Sequence, residues 1–246
     1  MNTNSETGHA KNVANFEQLL LSCTSYGAAY NPGNPALSLE SMNTLLSEGK
    51  QCMGSIHTAQ AGLSNAHVAR DVAFKPFSKL ATRIANAVRS SASSTQTDAQ
   101  VIAIVRKLQG RRAAPKMTEE EKQAASAEGK EVVKISSSQM SFINRIDNFN
   151  KLIELLKSIP EYTPNESDLT VASLTAYHQD LMIKNQAVVN AEISVSKLRI
   201  TRNELLYKET TGMVDVSAAV KTYIKSVFGA TSPQHRQVSA LKFVRR

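Results

Sequence analysis

The stretch LTAYHQDLMIKNQAVVNAEISVSKLRITR, residues 174–202, decides the fold. Leu174, Leu181, Val188, Val195 and Arg202 recur at every seventh position. Tyr177, Lys184, Ala191, Leu198 and Leu205 form a second row between them. An α-helix turns once in 3.6 residues, so spacings of three and four bring both rows onto one face. Neither Gly nor Pro interrupts the run. The pattern predicts a helix near 166–208, a rod of roughly 60 Å at 1.5 Å per residue.

The same two rows stand 132 residues earlier. Met42, Gly49, Ile56, Leu63 and Arg70 match the first, and Leu45, Cys52, Ala59, Ala66 and Ala73 the second. They predict a helix near 36–74 whose smaller side chains let neighbours approach closely. At this offset Tyr30, Pro32, Leu37, Ser41, Ala59, Ser64 and Arg70 meet Tyr162, Pro164, Leu169, Ser173, Ala191, Ser196 and Arg202. Composition alone would give roughly three such identities over this span. Upstream, Asn15-Phe16-Glu17-Gln18-Leu19-Leu20 resembles Asn148-Phe149-Asn150-Lys151-Leu152-Ile153. Downstream, Phe77, Leu80, Ile84 and Val88 are spaced much like Met213, Val216, Val220 and Ile224. Gln100-Val101 returns as Gln237-Val238, and paired arginines follow each, Arg111-Arg112 and Arg245-Arg246. Several segments repeated in one order indicate an internal duplication.

The expected fold is therefore all-α, a helical bundle of two tandem pseudo-repeats with long central helices. The chain divides into a polar N-terminal tail (1–11), a first helical repeat (12–112), a charged linker (113–139) and a second helical repeat (140–246). Within each repeat a short helix comes first (near 12–28 and 140–159). A Tyr-x-Pro turn follows, at Tyr30-Asn31-Pro32 and Tyr162-Thr163-Pro164. After the long helix come a third (76–91 and 213–228) and a last short one (97–109 and 233–243). Pro76 suits a first helical turn and Gly229 a helix end.

The chain has 246 residues, 41% apolar, with a formal charge of +8 and a pI near 9.5. The excess lies in both repeats. Residues 1–115 hold eleven basic against six acidic residues and 141–246 fourteen against ten, while 116–140 carry a net −1. Such a surface attracts acidic partners, or serves solubility. Cys23 and Cys52 lie in apolar helical contexts and read as reduced, structural thiols. Met1–Ala10 lacks a signal-peptide core, and no apolar run is long enough for a transmembrane segment, so the expected location is cytoplasmic.

Chemistry-bearing patterns do not emerge. His9, His57, His67, His178 and His235 show no i, i+4 pairing of the kind that holds a metal on a helix. Gly-rich phosphate loops, nucleophile elbows and Glu-x-x-His pairs are missing. The expectation is no catalytic, cofactor or metal site, and a non-enzymatic structural or protein-interaction role. Self-assembly into a homo-oligomer is expected, with Met1–Ala10 or the linker packing on an adjacent copy. The alternative is nucleic-acid or polyanion binding through two basic segments, Arg106, Lys107, Arg111 and Arg112 in one, Arg236, Lys242, Arg245 and Arg246 in the other. Arg70 and Arg202 end an apolar row and read as structural arginines. Buried there, each needs polar partners such as Asn15, Asn148 or helix-end carbonyls; an anion site is the sharper alternative.

Ser158-Ile159-Pro160-Glu161-Tyr162-Thr163-Pro164-Asn165-Glu166 and the run from Val220 to Gln234, VKTYIKSVFGATSPQ, resemble a family of uncharacterised all-helical proteins from Bacteroidetes-type bacteria. The likeness is strongest from about residue 140 onward. It implies a bacterial source and an all-helical fold, and brings no activity, ligand or site residue with it.

Overall fold

A computed structural model describes residues 7–111 and 140–245. Every regular element among them is helical, as expected. The α-helices are α1 (Thr7–Ser25), α2 (Leu39–Phe74), α3 (Phe77–Ser90), α4 (Thr95–Leu108), α5 (Phe142–Lys157), α6 (Val171–Tyr207), α7 (Met213–Phe228) and α8 (Pro233–Ser239). Short 3-10 turns at Gly27–Ala29 and Pro35–Leu37 lead from α1 into α2. Residues 1–6, the whole linker, Arg112 and Arg246 lie outside the described residues.

Local chemistry sets the ends of the helices. Ser94, Ser141 and Ser232 each accept the backbone N–H three residues on, at 3.1–3.2 Å, and so start α4, α5 and α8. Ser38 does the same for Ser41 ahead of α2, and Thr170 for Ser173 ahead of α6. Each cap of this kind contributes about 1 kcal/mol. Gly229 closes α7 at φ 91°, a left-handed conformation that favours glycine. Three helices depart most from the sequence reading, and of these α6 starts at Val171 rather than near 166, after the Thr170 cap. α1 is already helical at Thr7, inside the expected tail, and its His9 and Asn12 are buried and hydrogen-bonded. α8 stops at Ser239, because the residues after it run out to meet α1.

The chain forms two compact units, Met1–Ser64 with Asn190–Arg246, and Asn65–Val189. These are not the segments 12–112 and 140–246: each unit takes helices from both. In the first unit Phe16, Leu19 and Met42 are buried with Met213, Val220, Ile224 and Val238. In the second, Phe77, Ile84, Val101 and Leu108 are buried with Phe149, Leu152, Leu174 and Leu181. A helix pattern shows which face seeks burial but not which helix will cover it. The seventh-residue row behaves as read: Leu174, Leu181, Val188, Val195 and Arg202 are all buried. The second row, Tyr177 to Leu205, is half-buried throughout.

Both Tyr-x-Pro turns carry one contact. The buried Tyr30 hydroxyl donates to Leu37 O at 2.7 Å, and the Tyr162 hydroxyl to Leu169 O at 2.8 Å. Each bridges seven residues and fixes the entry into a long helix. Burial pushes the Tyr162 hydroxyl up to about 12 and raises Tyr30 as well. Cys23, beneath Tyr30, is raised by burial to about 11, which leaves its thiol protonated and inert.

Candidate polyanion groove

Helices α3 and α4 form an antiparallel hairpin through the turn at 91–94. Its apolar face, Phe77, Ala81, Ile84 and Val88 with Val101, Val105 and Leu108, enters the core of the second unit. The opposite face therefore holds what remains, and that is basic. Residues 75–111 carry seven basic side chains (Lys75, Lys79, Arg83, Arg89, Arg106, Lys107 and Arg111) against one acid, Asp98. Asp98 is bonded to Ser93 at 2.7 Å in the hairpin turn. Arg83 pairs with Asp168.

Arg89, Arg106 and Arg111 line one groove of about 250 Å3 with Thr82, Asn86 and Gln109. All three arginines are exposed, and none has a carboxylate partner among the described residues. Gln109 fixes one wall, donating to Ser78 O at 2.9 Å and to Thr82 Oγ1 at 2.7 Å. Beyond α4 the chain turns at Gly110, whose φ is 68°. The groove thus gathers three guanidiniums, each a planar fork of donors matched to phosphate or carboxylate oxygens. Of the first basic segment, Arg106 and Arg111 line the groove, Lys107 is exposed on the last turn of α4, and Arg112 lies outside the described residues. Arg89 and Asn86 were not legible in the sequence, because only the hairpin brings them beside Arg106.

The second basic segment is used differently. Arg245 donates to Tyr207 O at 3.1 Å and to Asp215 Oδ1 at 2.5 Å, and this pairing holds the Asp215 carboxyl below its ordinary range. Asn12 clamps the extended chain beside it, donating to Val244 O at 2.8 Å and accepting from Val244 N at 3.1 Å. Asn15 donates to Lys242 O at 2.7 Å. Lys221 donates to Leu241 O and lies 5.0 Å from the Phe243 ring. These contacts hold residues 241–245 against the helices of the first unit. Arg236 and the Lys242 side chain are exposed, and Arg246 lies outside the described residues.

Arg70 and Arg202 do not share one environment. Arg202 is buried and donates twice to Asn203 Oδ1, at 3.1 and 2.8 Å. Arg70 is half-buried, with its guanidinium 3.9 Å from the Phe142 ring centre. It reaches Asn185 at 3.4 Å and His67 at 3.1 Å. Asn15, expected as a partner, is turned to Lys242 instead. Arg145, which the sequence did not single out, lies 4.9 and 4.7 Å from the Phe74 and Phe77 rings. Burial lowers its pKa. Arg70 and Arg145 thus meet aromatic faces that attract cations through the ring quadrupole. A wider groove of about 650 Å3 in the same unit is lined by Lys79, Leu80, Arg83, Asp168, Ser173 and Tyr177.

No group of His, Cys, Asp and Glu among the described residues is placed to hold a metal ion. No helix there is long and apolar enough to cross a membrane. Compared with protein-family models, with curated proteins and with solved structures, the chain finds no match in any of the three.

Proposed function

We propose that this chain is a non-enzymatic interaction protein that holds the phosphate backbone of a nucleic acid in the α3–α4 groove. The observation that carries the reading is the convergence of Arg89, Arg106 and Arg111 on one groove without a carboxylate among the described residues to neutralise them. Unpaired guanidiniums at this density raise the local potential and draw in phosphate. The lining is guanidinium, amide, hydroxyl and aliphatic, with no aromatic ring on which a base could stack. Recognition is then of backbone rather than sequence. Arg245 of the second basic segment takes no part, since it is already committed to Asp215.

Binding of labelled DNA and RNA duplexes across a salt series tests this. The slope of log affinity against log salt measures the phosphates neutralised, about 0.9 for each on B-DNA. Reversing Arg89, Arg106 and Arg111 to Glu should reduce the slope by two to three. Reversing Arg236 should leave it unchanged. Salt-insensitive binding, or equal loss from both sets, defeats the reading; preference for an acidic peptide over both duplexes assigns the groove to a protein partner.

We also infer that the scaffold is a helical bundle made by duplication, with the bacterial family likeness resting on the two segments that carry it. Three features support the duplication: the twin tyrosine-to-carbonyl contacts, the hydroxyl caps at Ser38 and Thr170, and the seventh-residue rows, buried from Leu174 to Arg202 and at Met42, Gly49 and Ile56.

A further inference from the structure

We propose that the two halves of this chain, the helices before the 112–139 connection and those after it, re-pair between copies to give an exchanged dimer. The inference is independent of the anion groove. It rests on the composition of the cores. In the first unit Phe16 and Met42 of one half are buried against Val220 and Ile224 of the other. In the second, Ile84 of the first half is buried with Phe149 of the second. Neither half owns a core, so each must find the other to fold.

Only one covalent connection joins the halves, and its two ends meet. A methyl group on Gly110 would come within 2.7 Å of Met140 Sδ. A link of a few residues would close that gap. The segment 112–139 could span up to about 100 Å if fully extended, at 3.3–3.6 Å per residue. Its length therefore lets a half reach a partner in another copy. The exchanged pairing uses the same side chains as the internal one and requires no new complementary surface. What favours the internal pairing is the tether, which sets an effective concentration in the millimolar range or lower. Chains folding together at high concentration will populate the exchanged form, and the buried cores will then slow its return to monomer.

The test uses full-length chains. One variant carries Ile84→Asp, which damages the second unit from the first half. The other carries Phe149→Asp, which damages the same core from the second half. Each alone should lose the cooperative melt of that unit. Denatured together and refolded at about 100 μM, they should form a one-to-one dimer in which one undamaged pair of halves regains it. Because such variants can fail for other reasons, wild-type chains labelled with donor and acceptor dyes are co-refolded in parallel. Energy transfer in a dimer peak that grows with refolding concentration supports exchange. Co-refolded variants that melt as the sum of the two alone, with wild type monomeric and without transfer at every concentration, overturn the proposal.

Discussion

Tyr30 and Tyr162 show what one residue contributes here. Each hydroxyl is buried and satisfies a carbonyl seven residues on. Removing it strands that carbonyl, so Tyr30→Phe and Tyr162→Phe should each cost about 1–2 kcal/mol in denaturant titrations. The two losses should be similar. Burial raises both pKa values, so the neutral hydroxyl is the folded form. Stability from Tyr162 is then fully present below its ordinary value of 10.0 and is lost as pH rises towards about 12. An alkaline unfolding step that coincides with tyrosinate absorbance would show it, and the double Phe variant should weaken that coupling to what Tyr177, also pushed up to about 12 by burial, retains. Asp215 has the opposite sign. Its pKa is lowered, by Arg245 first. The contact stands above the ordinary carboxylate value of 3.8 and is released as pH falls through the lowered one. Amide exchange at Val244, whose N–H is held by Asn12, should quicken at that point; Arg245→Ala should show the fast rate already at neutral pH.

At the scale of elements, much was legible, and the reason is periodicity. The seventh-residue row ran from Leu174 to Arg202 without a break, and burial follows it residue by residue. The α7 bounds, 213 and 228, matched because Gly212 and Gly229 punctuate an apolar run. What stayed hidden depends on neighbours. Asn12 looks like a polar residue at the start of a helix until the returning chain supplies Val244. Arg89 and Arg106 are 17 positions apart in sequence, and only the turn between α3 and α4 sets them on one groove. Arg145 escaped because a cation between phenylalanine rings has no linear signature. The Lys208–Gly212 turn offers a sharper test of an element. A Cβ at Gly212 would lie 2.6 Å from both Lys208 N and Lys208 O, backbone atoms that cannot step aside. At Gly49 the nearest obstacle is the flexible tip of Met213, at 2.9 Å. Gly212→Ala should therefore cost about 1–3 kcal/mol, as overpacking does, and Gly49→Ala clearly less. Thermal melts of the two variants decide it, and equal losses would count against the backbone clash.

For the whole molecule, the sharing of each core between both halves has a consequence during synthesis. A chain leaves the ribosome from its N-terminus, at roughly 5–20 residues per second. Phe16 and Leu19 emerge early, yet the side chains that cover them include Val220, Ile224 and Val238. The α1 face, covered until then by α2 residues such as Met42 and Leu46 alone, is incompletely buried for about 10–40 s at that pace. The second unit needs nothing beyond Val189 and closes first, although its sequence begins later. Stalled chains should reveal this order. With residues up to about 190 clear of the exit tunnel, α3 to α5 should resist protease while α1 is still cut. With 239 clear, α1 should resist as well. α1, made well before the residues that complete its cover, thus spends that interval open to proteases and to other nascent chains.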